Sequence, residues 1–60
     1  MSKKHFGAIA RAILETREAT ANPVAQAALT TLAIRLCADF AADNPRFDQQ
    51  RFLSACGAIR

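Results

Sequence analysis

Sixty residues make at most one small domain, and a monomer of this length buries only about 60% of the surface its unfolded chain exposes. Apolar residues form 52% of the chain, but fourteen of them are alanine, so large side chains are few for a self-sufficient core. A net charge of +3 is too modest to announce nucleic acid by itself. With no metal-ligand cluster and at most one disulfide to staple so small a fold, oligomerisation is the remaining common remedy, and a homodimer is expected. Cys37 and Cys56 fall outside any C-x-x-C pair and read as two reduced, buried thiols of a cytoplasmic protein. Arg11 and Glu15 interrupt the apolar positions that follow the N-terminal lysines, so neither a secretion signal nor a membrane partner is expected.

In chain order, "KKHFGAIARAILETREAT" places Phe6, Ile9, Ala10, Ile13 and Leu14 at i, i+3, i+4, i+7 and i+8, one face of an amphipathic helix. Ser2 is its expected N-cap. Gly7 lowers helix propensity, and its missing side chain would let another helix approach closely.

"TANP" then breaks the pattern. Asn22 and Pro23 read as an N-cap followed by proline at the first helical position, opening a second helix that runs to about Asp43. Its apolar spine is Val24, Ala28, Leu32, Leu36 and Phe40, flanked by Ala25, Leu29, Ala33 and Cys37. This band is wider than one partner helix needs, so the spine is assigned as a core or dimer face, with Ile34 exposed in a lone hairpin.

The C-terminal stretch "NPRFDQQRFLSACG" is mostly helix punctuation. Asn44 and Pro45 stop the second helix, Asp48 caps a third over Gln49 to Cys56, and Gly57 supplies a left-handed stop. Phe47 and Phe52 stand where a hydrophobic staple would place them. Leu53 and Cys56 share the inner face with Phe52. Arg46 and Arg51 are not required by any of this grammar.

The expected fold is therefore all-α: two long antiparallel helices plus a short third, one domain over residues 1–60. A short first connection returns the end of the second helix to the start of the first. Lys3, Lys4 and His5 then sit near Arg46 and Arg51, a basic end that could hold a partner or an anion. Lysines in a first helical turn oppose the helix dipole; an ion pair with Asp39 or Asp43 at the same end, side chains that point into water, or an anionic ligand would each account for them.

The inventory for chemistry is poor. His5 has no sequence-evident nucleophile or carboxylate arranged with it, the cysteines lack ligand spacing, and no glycine-rich phosphate loop exists. Neither a catalytic residue, a metal nor a cofactor is expected.

The start "KKHF..IA..I" and the end "NPRFDQQRFLSACG" together resemble a group of small proteins of tailed bacteriophages and prophages, in which a variable helical middle separates the two. The resemblance covers roughly half the chain and leaves the middle unmatched. It implies a phage accessory protein in the bacterial cytoplasm, and brings no catalytic or binding residue with it.

Two functions follow as expectations. The first is a non-enzymatic protein that binds a host or phage protein, in a regulatory or counter-defence role. The second is nucleic-acid binding through a helix-turn-helix-like C-terminal segment, with Gln49, Gln50, Arg51 and Ser54 at the front of its last helix.

Overall fold

Asn22 and Asp48 set where two of the helices begin. The Asn22 side chain accepts a hydrogen bond of 2.9 Å from the Val24 amide, and Pro23 follows where its missing donor is not needed. The Asp48 carboxylate accepts one of 3.0 Å from the Arg51 amide. The computed structural model describes residues 3–58 and contains three helices: α1 (Lys3–Ala19), α2 (Pro23–Asp43) and α3 (Gln49–Ala55). No strand occurs among the described residues. Ser2 and the side chain of Lys3 lie outside them.

Each helix packs against both others. The start of α1 meets the end of α2, where the Phe6 and Phe40 ring centroids are 4.8 Å apart. The end of α1 meets the start of α2, where the Arg17 guanidinium donates to the Gln26 carbonyl at 3.1 Å. At 1.5 Å per residue α2 is about 31 Å long, close to the molecule's longest dimension of 34 Å.

The buried core is Ala10 and Ile13 of α1, Ala33 and Cys37 of α2, and Phe52 and Cys56 from α3 and its cap. Four of these six are Ala or Cys. Small side chains at the centre let three backbones come close, and the bulk is supplied at one end by four phenylalanines. Phe40 and Phe47 pack edge-on at 5.4 Å, and Phe40 and Phe52 at 5.5 Å, in the geometry the ring quadrupole favours. The expected face of α1 is the observed one: Ala10 and Ile13 are buried, with Phe6, Ile9 and Leu14 half-buried beside them.

α2 turns inward the flank of the expected apolar band, at Ala33 and Cys37, and leaves the first part of its spine exposed. Val24 is 76% exposed and Leu32 45%, Ala28 is also exposed, and only Leu36 and Phe40 of that row are half-buried. Four residues advance about 400° around a helix, roughly 40° beyond one turn. A row built only of such steps winds across the helix, leaving water at Val24 and reaching the core at Phe40. The inward stripe is the row beside it, Leu29, Ala33, Cys37 and Phe40, which mixes three- and four-residue steps. Ile34 is 53% exposed and lies about 200° around from Leu32. Arg35 and Asp39 are exposed between them, so the outward apolar side chains form no single patch. By length and composition α2 would also be apolar enough to cross a membrane, with a mean hydropathy of 1.3 over its most apolar window.

Gly57 closes α3. Its φ is +75°, its amide donates to the Ser54 carbonyl and the Ala58 amide donates to the Leu53 carbonyl, both at 3.0 Å. This paired arrangement is the Schellman stop, which satisfies carbonyls that the helix end leaves open. Leu14 of α1 packs directly over it: a Cβ on Gly57 would stand 2.8 Å from Leu14 Cδ1. Gly7 differs. Apart from its two neighbours and its own helix backbone, nothing lies within 4 Å of where its Cβ would be, so no helix among the described residues makes the close approach expected there.

Candidate functional site

The segment between α2 and α3 builds one wall of the site. Asn44 ends α2 by donating its amide to the Phe40 carbonyl at 2.9 Å. Its side-chain oxygen then accepts from the Arg46 amide, and its carbonyl from the Phe47 amide, both at 3.0 Å. Pro45 holds the first corner of this turn, where the φ its ring fixes is the one the turn requires. The chain is left with Phe47 directed inward, against Phe6 at 4.8 Å and Phe52 at 5.5 Å, and with Arg46 exposed. Asp48 then starts α3, which carries Arg51 outward one turn later.

Between this wall and α1 runs an open groove of about 490 Å³. Phe6, Phe47 and Phe52 give it an aromatic floor, Gly7, Ala10 and Ala55 keep its sides low, and Arg46, Asp48 and Arg51 line its rim. Neither the Arg46 nor the Arg51 guanidinium has a hydrogen bond or ion pair among the described residues. The Asp48 carboxylate is occupied in capping.

The basic residues expected at one end are thus partly gathered. Arg46 and Arg51 share the groove with the first turns of α1. Lys4 lies in a second depression, which shares Gly7 with the groove and is also lined by Arg11 and Glu15. His5 is exposed, and the side chain of Lys3 is outside the described residues. Gln50, Arg51 and Ser54 are exposed on α3. Gln49 leans back towards α2: its carbonyl and side-chain oxygens each lie 3.7 Å from the Cys37 sulfur, a weak donor.

Sequence reasoning missed the part played by Phe6 and Phe47, which serve as core and as groove floor together, and by Gly7, which two depressions share. No short-range pattern announces these parts, because the groove exists only where α1 meets the segment that follows α2.

Cys37 and Cys56 are buried and reduced. Burial pushes both thiols above the ordinary value of 9.0. At Cys56 the neighbouring Cys37 adds to the rise and Arg17 opposes it. A thiol held neutral is a poor nucleophile. Among the described residues no group of three or more His, Cys, Asp or Glu is gathered.

Comparison with protein-family models, with curated proteins and with solved structures finds no match to this chain.

Proposed function

We propose that this chain is a non-enzymatic binding protein, of the small tailed-phage accessory type its two ends resemble, and that it holds a segment of a host or phage protein in the groove beside Gly7. The observation that carries the reading is the pairing of an aromatic floor with two unengaged guanidiniums at its rim. Apolar floors supply affinity to a bound segment, and arginine at the rim supplies orientation. The setting is the bacterial cytoplasm, where both thiols stay reduced. α1 and α2 act as a helical hairpin that presents the groove at one end. A second copy, if present, packs along α2 over Val24 and Leu32, away from the groove.

Capture from bacterial lysate by three immobilised proteins tests this: the natural chain, an Arg46→Ala/Arg51→Ala variant, and an Arg35→Ala control on the exposed side of α2. A protein held by the first and third and lost by the second is expected. One held equally by all three places binding elsewhere. Sedimentation tests the second copy, and a strict monomer at high micromolar concentration removes it.

A nucleic-acid reading draws on the exposure of Gln50, Arg51 and Ser54 along α3. Against it, α3 has only about two turns, and no phenylalanine is free of the packed cluster to stack on a base. Binding of labelled duplex DNA that weakens with salt would favour it.

A further inference from the structure

Resting on the groove reading above, the geometry points to an acidic amphipathic peptide as the occupant, seated with a large apolar side chain in the notch over Gly7 and its carboxylates reaching Arg46 and Arg51 on one side of α1 and Lys4 and Arg11 on the other. Gly7 belongs to both depressions. With no atom within 4 Å of its absent Cβ, the ridge that α1 would raise between them is cut down at that point. The two depressions meet at Gly7, and a segment bound across that point would occupy both as one track.

The track carries four cations, Lys4, Arg11, Arg46 and Arg51, against the two carboxylates Glu15 and Asp48. One of those carboxylates, Asp48, is engaged in capping the Arg51 amide. The net field favours an anionic occupant. The floor decides between kinds of anion. Phe6 and Phe47 pack edge-to-face at 4.8 Å and Phe47 and Phe52 tilted at 5.5 Å, so the floor is a stepped surface of angled rings and not a flat ring face. Such a floor accepts an inserted aliphatic or aromatic side chain and offers nothing to a stacked base, which selects a peptide over a nucleic acid. Glycine in this helix lowers propensity without relieving any contact inside the chain. Its gain is to the partner.

A random peptide library displayed on yeast, selected against the natural protein, supplies the probe. Recovered peptides are then measured by fluorescence anisotropy against the natural protein, a Gly7→Leu variant and an Arg46→Glu/Arg51→Glu variant, with labelled duplex DNA as competitor. Recovered peptides should place Asp or Glu around a large apolar residue. Gly7→Leu should raise the melting temperature, since leucine favours the helix, yet weaken peptide binding by about tenfold or more. If Gly7→Leu binds as the natural protein does while Arg46→Glu/Arg51→Glu does not, the notch is wrong and the groove reading survives. If selection recovers no peptide, or both variants bind undiminished, the groove reading falls with it. Recovered peptides without acidic residues, or displacement by duplex DNA in preference to peptide, overturn the acidic-peptide assignment.

Discussion

Arg17 and Gln26 exchange hydrogen bonds in both directions across the turn between α1 and α2. The Arg17 guanidinium donates to the Gln26 carbonyl at 3.1 Å, and the Gln26 side-chain amide donates to the Arg17 carbonyl at 3.4 Å. Gln26 also donates to the Thr20 carbonyl at 2.8 Å, and Arg17 to the Thr30 hydroxyl. Carbonyls that the end of α1 leaves open are thereby satisfied by the next helix, so the angle of the turn is held by side chains as well as by packing.

This pair should be worth more than an ordinary surface contact. Arg17→Met is expected to cost about 2 kcal/mol in urea unfolding, the range for bonds made by a charged donor. Arg17→Lys should recover less than half, because the lysine ammonium ends short of the Nη1 position from which Arg17 donates to both Gln26 and Thr30. A double-mutant cycle with Thr30→Val, which removes the hydroxyl that accepts from the Arg17 guanidinium, should return a coupling of about 1 kcal/mol. Additive losses would mean the two residues act separately.

The inward stripe of α2 can be read by truncation. Phe40 touches Phe6, Phe47 and Phe52, so Phe40→Ala should cost about 3 kcal/mol. Val24→Ala, on the same i, i+4 row but 76% exposed, should change stability by less than about 0.5 kcal/mol in dilute solution. A Val24→Ala cost that grows with protein concentration would mark a second copy on this side of α2.

The two glycines should respond with opposite signs. Gly57→Ala puts a side chain into left-handed backbone and against Leu14, and is expected to destabilise by about 2 kcal/mol. Gly7→Ala has open space around it in a helix interior and should stabilise by about 0.5–1 kcal/mol. Thermal melts of the two variants decide this directly.

Alkaline pH should weaken the fold through the thiols. In the unfolded chain they lose their protons near 9.0, whereas burial keeps Cys37 and Cys56 protonated to higher pH in the fold. The folded state then binds more protons, so the thiol contribution is complete below pH 9.0 and is lost as pH rises above it. Melting temperatures of the natural chain should fall more steeply over that range than those of Cys37→Ala/Cys56→Ala. Equal slopes would exclude the thiols as the cause.

Helix limits and their stops were legible because each is written in residues only a few positions apart: Asn22 with Val24, Asp48 with Arg51, Gly57 with Ser54 and Leu53. Local hydrogen bonds and backbone torsions depend on little else, and the face of α1 followed from its mixed three- and four-residue spacing. The rotation of α2 did not follow in the same way. Alanine is dispersed over most of its circumference, so the apolar pattern leaves several rotations of similar burial, and the choice fell to packing against Phe6, Phe47 and Phe52 from distant positions. The groove has the same origin. Gly7 stands far along the chain from Arg46 and Arg51, and only the return of α2 to the start of α1 places them around a shared floor. Short-range grammar determines where helices begin and end; which sides they show to water depends on contacts between residues that no local pattern connects.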